Sequence, residues 1–160
     1  MVLPPAIAGV LAGVWVLLNN TPTDLNGVPQ ETRPFVGLIT YLPSGYMSAN
    51  LASTESDKRP RNLTYPAKDG QPDSDWALVG KNTLAYAGNC SVEPWSTTTN
   101  GTLIHGPLLV ADVPSWEGTN QTRNYEVTKE GNKTVLRLWI HREGSETIGN
   151  LYWAKLAPLV

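Results

Sequence analysis

Short runs with strand character recur along the chain at intervals of about ten to fifteen residues, and turn-forming residues separate them. Within several runs apolar and polar residues alternate; on Tyr46–Ala52, for example, Met47, Ala49 and Leu51 share one face. Alternation of this kind places every second side chain on the same side of a strand. Many short strands at regular spacing are typical of an up-and-down barrel or a sandwich. We therefore expect an all-β fold, either an up-and-down barrel or a sandwich, with one short helix.

The composition agrees with this expectation. The chain has 160 residues, which predicts one domain over 1–160. Charged residues make up only 16% of the chain, and 14 glycines and 13 prolines are spread along it as turn punctuation. The formal net charge is −2 and no basic stripe is present, so we expect no nucleic-acid partner.

The clearest local prediction is a hairpin. Phe35–Tyr41 and Tyr46–Ala52 read as strands around a Leu42-Pro43-Ser44-Gly45 turn. Proline presets φ at the second position of such a turn, and glycine is favoured at its fourth.

Three further segments have distinct signals. The stretch Ser53–Pro72 is polar and rich in charge and proline, which predicts a long mobile loop that could act as a lid. Asp73 begins a short helix that reaches about Asn82. The strand Thr102–Val110 contains Gly106-Pro107, so it is expected to bend there or to lie at a sheet edge.

The N-terminal stretch Met1–Leu18 carries no charged side chain. A signal peptide or membrane helix is the first alternative, but a basic leader region is missing and prolines and glycines interrupt the run. Gly13–Leu18 instead reads as the first strand. We therefore expect a cytoplasmic protein without a membrane partner. Six N-x-S/T sequons leave a secreted glycoprotein as a third, weaker hypothesis, at Asn19, Asn62, Asn89, Asn100, Asn120 and Asn132.

The motifs that are missing exclude several kinds of chemistry. A single cysteine, Cys90, cannot form an intrachain disulfide, and the two histidines, His105 and His141, are not spaced as metal ligands. No nucleotide-binding glycine motif, nucleophile elbow or obvious carboxylate pair occurs. We expect neither a metal nor a cofactor.

Several motifs resemble one family. The run Leu11-Ala12-Gly13-Val14-Trp15 resembles the Gly-x-Trp opening of lipocalins. The hairpin Val36–Tyr41 followed by Pro43–Ala49, with its G-Y-M-S-A sequence, is similar to that of the lipocalin-like domain family. Later motifs fall in the order expected for that family: Tyr86-Ala87-Gly88, Leu103-Ile104-His105 and Trp116-Glu117-Gly118 with Arg123.

The resemblance implies a small, single closed antiparallel lipocalin-like β-barrel around an internal cavity. It also implies, by analogy with fungal barrels that accompany natural-product pathways, a cofactor-free isomerase, cyclase or dehydratase. In lipocalin-type barrels a tryptophan of the first strand packs under a late arginine, so the resemblance predicts a cation–π stack between Trp15 and Arg123.

The candidate catalytic residues are His105, Tyr41 and Tyr86. A histidine in an apolar cavity suits general acid–base work because its pKa lies near neutrality. Tyr41 and Tyr86 share faces with Gly37 and Gly88, which are expected to leave room for a ligand. The candidate ligand-binding residues are mostly aromatic, pairing an apolar body with a polar group: Tyr46, Met47, Trp95, Trp116, Arg123, Tyr125 and Trp139.

Two functions stay open at this point. The first is an enzyme of secondary metabolism that rearranges a reactive intermediate by holding one conformer and placing a few dipoles. The second is a carrier that binds a small apolar or aromatic molecule without changing it. A homodimer is compatible with the sequence, which does not fix the oligomeric state.

Overall fold

A computed structural model describes residues 2–157. Its two α-helices are α1 (Pro5–Leu11) and α2 (Asp73–Lys81), and 3₁₀ turns lie at Ser56–Lys58 and Pro114–Trp116. Its strands are β1 (Gly13–Asn19), β2 (Thr23–Asp24), β3 (Phe35–Leu42), β4 (Tyr46–Ser53), β5 (Thr83–Val92), β6 (Asn100–Ala111), β7 (Gln121–Glu130), β8 (Lys133–His141) and β9 (Thr147–Lys155).

The sheet closes into an antiparallel barrel of eight strands. Each strand pairs with its neighbour in the order β1-β3-β4-β5-β6-β7-β8-β9, and β1 pairs with β9 to complete the ring. The two-residue strand β2 adds to the edge of β9. Closure leaves no open edge among the eight strands. The predicted all-β barrel is confirmed, as is the β3–β4 hairpin.

The helices only partly match the prediction. The helix predicted from Asp73 is present as α2. A second helix, α1, was not expected, because the prolines of the apolar N-terminal run were read only as interruptions. Pro5 instead occupies the first turn of α1, where a proline costs no hydrogen bond. Leu3, Ile7 and Leu11 are buried against the barrel. No helix in residues 2–157 is long and apolar enough to cross a bilayer.

The two ends of the barrel differ. The end that we call the α1 end carries α1 and the tight connections β3–β4, β5–β6 and β7–β8; there the Leu3 amide donates to the Pro43 carbonyl at 3.3 Å. The opposite end, the loop end, carries the longer connections, including residues 54–82 with α2. The segment expected to be a lid is therefore located at the loop end.

Burial of the inward-facing side chains changes along the barrel axis. Towards the α1 end they are closely packed, with Trp15, Tyr41, Leu103 and Leu136 at 0% exposure. Towards the loop end a ring of inward-facing side chains is partly exposed, and we call this ring the mouth: Phe35, Leu51, Leu84, Arg123, Ile140 and Leu151. Because these side chains face the interior, solvent reaches them through the loop end.

β6 stays in the sheet by bending. After His105, which pairs with Gln121 of β7, the strand continues as Gly106-Pro107 and its register on β5 shifts twice between Ala87 and Cys90. Leu108 then exchanges hydrogen bonds with the β6–β7 connection rather than with β7. Of the two predicted outcomes, a bend or an edge position, the bend is confirmed.

The predicted stack of Trp15 with Arg123 is wrong. The cation over the Trp15 ring is the Lys155 ammonium, 5.3 Å from the ring centre, and it also donates to the Val10 carbonyl at 2.6 Å. The Trp15 indole donates to the Leu11 carbonyl at 2.8 Å. Trp15 therefore joins α1, β1 and β9 at the α1 end, whereas Arg123 lies on β7 nearer the loop end.

Gly88 is the residue on which the bend in β6 depends. A methyl group at this position would lie 2.7 Å from both the Leu108 Cα and the Pro107 carbonyl oxygen, which are backbone atoms that cannot swing away. We expect Gly88→Ala to lower the free energy of unfolding by roughly 1–3 kcal/mol or more, as overpacking does. Urea denaturation followed by tryptophan fluorescence measures this.

Gly80→Ala is the matched control. Gly80 lies in α2 with open space around it, so alanine there should be neutral or stabilise by up to about 1 kcal/mol. Equal stability of the Gly88 and Gly80 variants would contradict this account of the bend.

Candidate functional site

Three strands bring the predicted catalytic residues together inside the barrel. The Tyr41 hydroxyl lies 2.9 Å from His105 Nε2, and the Tyr86 hydroxyl lies 3.4 Å from His105 Nδ1. His105 and Tyr41 are fully buried, and Tyr86 is 7% exposed. On β5, Tyr86 is the next inward position after Leu84 of the mouth. The three side chains therefore form a chain that leads from the packed interior towards the mouth.

Burial sets the charge state of these three side chains. Burial, with a further contribution from the positive charge of Arg123, lowers the pKa of His105 from 6.5 to about 3. Burial likewise raises the pKa of Tyr41 and of Tyr86. The expectation of a histidine that titrates near neutrality is wrong, because a fully buried imidazole loses the hydration that would stabilise its cation. His105 is neutral at physiological pH.

The direction of the hydrogen bonds follows from the burial of Tyr41. Within the described structure its hydroxyl has His105 Nε2 as its one hydrogen-bond partner. If Nε2 carried the imidazole proton, the buried Tyr41 O–H would have no acceptor, at a cost of about 1–3 kcal/mol. The favoured arrangement has Tyr41 donating to Nε2 and Nδ1–H donating to the Tyr86 oxygen. The Tyr86 O–H is then available to donate to a ligand.

Two further predicted residues border this chain. Trp116 contacts the Tyr86 ring edge-on, with ring centres 5.5 Å apart. Arg123 faces the interior, since it pairs with the buried Leu103. Its guanidinium donates to the Thr122 carbonyl at 2.7 Å, and none of the carboxylates in residues 2–157 lies within 4.0 Å of it. This cation is therefore available to an oxygen of a ligand.

Met47 and Tyr125 also lie inside the barrel but away from the mouth. Met47 is buried beside Tyr41 on the neighbouring strand. Tyr125 is buried and its hydroxyl donates to the Thr97 carbonyl in the β5–β6 connection. Its hydrogen bond therefore anchors a turn at the α1 end.

Three predicted ligand-binding residues lie outside the interior. Tyr46 is 49% exposed on the outer face of β4, and Trp95 is 60% exposed in the β5–β6 connection. Trp139 is on the outer face of β8, with the Arg137 guanidinium 5.5 Å from its ring centre. Strand alternation already separates Trp139 from the inward-facing Leu138, so the sequence carried the signal that places it outside.

The glycines expected to leave room do not open a space inside the barrel. A methyl group on Gly37 would lie 2.8 Å from the Asn50 carbonyl oxygen and 2.9 Å from the Leu51 side chain. The position opposite Gly88 is filled by the bend of β6. Both glycines permit close approach within the barrel wall, which corrects their role as cavity-forming residues.

The apolar ring of the mouth was not predicted from the sequence. Phe35, Leu51 and Leu84 occupy inward positions near strand ends, where alternation predicts their direction but does not predict which end of the barrel is open. Cys90 pairs across the sheet with His105 and is 1% exposed. Burial raises the pKa of its thiol to about 12. No group of three metal-binding side chains occurs in the described part of the chain.

Comparison with known proteins agrees with this architecture. The model of the lipocalin-like domain family matches residues 12–156. The chain belongs to the lipocalin-like domain family. Comparisons with curated proteins and with solved structures gave no significant match. A lipocalin-like barrel that solvent enters at one end is compatible with binding a small apolar molecule.

The neutral state of His105 predicts a pH dependence of stability. In the unfolded chain this histidine binds a proton below pH 6.5, whereas in the folded barrel it does so only near pH 3. Between these values the unfolded state binds more protons, so stability falls as the pH is lowered, by up to about 1.4 kcal/mol per pH unit. Urea denaturation at several pH values from 7 to 5 should show this slope.

The variant His105→Gln should flatten the slope, whatever its absolute stability. His141→Gln, which removes the exposed histidine on β8, should retain it. An unchanged slope in the His105 variant would show that the imidazole is not held neutral by burial.

Proposed function

We propose that this lipocalin-like barrel binds an apolar molecule that carries a carbonyl or enol oxygen, and that it isomerises or cyclises that molecule without a cofactor. The observation that carries the proposal is the chain of hydrogen bonds that runs in one direction from Tyr41 through His105 to Tyr86. This chain ends in the Tyr86 hydroxyl, a donor that lies next to the mouth. The partly exposed apolar side chains of the mouth would contact the rest of the ligand.

The oxygen of the ligand would lie between two groups. The Tyr86 hydroxyl would donate a hydrogen bond to it, and the Arg123 guanidinium would attract the negative charge that develops there. Donors that are fixed before the reaction stabilise such charge more effectively than water, because they need no reorganisation. Burial of His105 and Tyr41 would keep the Tyr86 donor in one orientation.

A ring closure suits this arrangement. Cyclisation and double-bond isomerisation conserve the atoms of the substrate, so neither requires an oxidant, a reductant or a group donor. The enzyme would lower the barrier by holding a reactive conformer in the mouth and by polarising its oxygen. A natural-product intermediate of polyketide or terpenoid character has the required combination of apolar surface and oxygen.

A carrier is the second candidate. It is favoured by the state of His105, whose two ring nitrogens both lie within hydrogen-bond distance of tyrosines and whose pKa is about 3. A group held in this way is a poor proton acceptor, so the chain would then serve to orient a bound ligand.

The first experiment isolates the ligand. Native mass spectrometry and organic extraction of the protein from its producing organism should yield an apolar, oxygen-containing molecule. Incubation of its biosynthetic precursor with fresh protein would give an isomer of equal mass if the protein is an enzyme. Release of the precursor unchanged, with saturable binding, would favour the carrier.

Substitution of the terminal donor tests the chemistry. Tyr86→Phe removes the hydroxyl and keeps the ring that contacts Trp116, so we expect kcat/KM to fall by roughly 100-fold, the effect of losing one donor to a developing oxyanion. Tyr46→Phe is the matched control, because Tyr46 lies on the outer face of the adjacent strand. The assay is conversion of the precursor, with folding checked by circular dichroism.

Full activity of the Tyr86 variant would exclude a catalytic role for this hydroxyl and for the hydrogen bonds that link it to His105 and Tyr41.

The cytoplasmic location, the fungal pathway context and the homodimer stay predictions from the sequence.

A further inference from the structure

A second pocket lies at the α1 end, opposite the mouth. It has a volume of about 350 Å³ and is bounded by the last turn of α1, the β5–β6 connection and the barrel rim. Its lining combines two lysines and four threonines with the apolar Val10 and Val127: Lys129, Lys155, Thr98, Thr99, Thr128 and Thr134. Nothing in the proposed reaction uses this pocket.

The rim of this pocket places two lysines on either side of a threonine. Lys129 of β7 pairs with Thr134 of β8, and its ammonium donates to the Thr134 hydroxyl at 3.0 Å. On the other side, the pairing of Val135 with Ala154 makes Lys155 the neighbour of Thr134 in the same register. Strand alternation turns all three side chains towards the barrel axis.

The two positive charges have no counterion within the described residues. No carboxylate oxygen of residues 2–157 lies within 4.0 Å of either ammonium. Lys129 and Lys155 lie on the two strands that flank β8, so their like charges repel each other across Thr134. In agreement with this placement, the pKa of Lys155 is lowered, mainly by the partial burial of its ammonium and to a smaller extent by the positive charge of Lys129. An anion between the two would remove this repulsion.

Donors to such an anion are also available. A lysine ammonium has three N–H groups. Lys155 uses one on the Val10 carbonyl and Lys129 uses one on Thr134, which leaves two on each ammonium without a protein acceptor in the described residues. Thr98 and Thr99 are exposed and line the pocket from the β5–β6 connection, where the Thr99 hydroxyl lies 3.3 Å from the Thr97 hydroxyl.

We propose that this pocket binds a small oxyanion, a phosphate or a carboxylate, between Lys129 and Lys155. The site is independent of the proposed function, because it lies at the opposite end of the barrel from Tyr86. The apolar portion of an anionic ligand would contact Val10.

The two lysines differ in what else they do. Lys155 covers Trp15 and binds the last turn of α1, so its substitution would also disturb the fold. Lys129 is exposed, and its one side-chain hydrogen bond within residues 2–157 goes to Thr134, so it is the residue to change. Lys133 gives the control, since it lies four positions away in the same hairpin, is exposed, and alternates with Thr134 so that it faces outwards.

The experiment is a titration followed by ¹H–¹⁵N correlation spectra at constant ionic strength, with sodium phosphate in one arm and sodium octanoate in the other. We expect saturable shifts of the amides of Val10, Thr98, Thr99 and Thr134. We expect Lys129→Gln to weaken binding roughly tenfold, as the loss of one charged hydrogen bond does. Lys133→Gln, with the same change in net charge, should bind like the parent.

The two arms distinguish the source of the anion. Saturation by phosphate alone identifies a phosphate group, saturation by octanoate alone identifies a carboxylate with an apolar tail, and either supports the site. The proposal is overturned if neither anion saturates these amides, or if Lys133→Gln weakens binding as much as Lys129→Gln. A Tyr86→Phe variant that has lost activity should still bind the anion, which separates this proposal from the catalytic one.

Discussion

Closure of the barrel removes water from the inner face of the sheet, and the candidate site depends on this constraint. Because β1 pairs with β9, alternate side chains of the eight strands face an enclosed interior. A polar group placed deep in that space must find a protein partner, since leaving it unpaired costs about 1–3 kcal/mol. His105 and Tyr41 are such groups, and each satisfies the other. The geometry of the candidate site is therefore a consequence of burial as much as of chemistry.

The bend in β6 separates the buried part of this chain from the accessible part. On one edge β6 pairs with β5 along its length; on the other edge it pairs with β7 up to His105, and beyond His105 Leu108 bonds the loop that carries Trp116. The loop thereby reaches the Tyr86 ring, which is covered on one face while its hydroxyl stays beside His105. A straight β6 would pair with β7 for its whole length. Gly88 makes the bend possible because it admits the β6 backbone where any side chain would collide.

Most of the fold could be predicted from the sequence, because alternation and turn residues are local signals. His105, Tyr41 and Tyr86 were predicted as site residues, and the structure places all three at inward positions within hydrogen-bond distance. Two kinds of property could not be predicted. The pKa of His105 depends on how completely distant strands exclude water, and the partner of Trp15 depends on how β1 meets β9. Lys155 is 140 residues from Trp15 along the chain, and only closure makes them neighbours.

The two ends of the barrel are suited to different ligands for a physical reason. At the loop end, apolar side chains surround one arginine and one hydroxyl donor, so a mostly apolar molecule with a single oxygen would gain from burial without leaving a polar group unpaired. At the α1 end, Lys129 and Lys155 repel each other in a hydroxyl-lined pocket, so a charged group would gain most. Trp15, Leu103 and Leu136 are fully buried between the two ends, and they would keep the contents of one end from reaching the other. Occupancy of one end could therefore affect the other only through the strands, chiefly β7, which carries both Arg123 and Lys129.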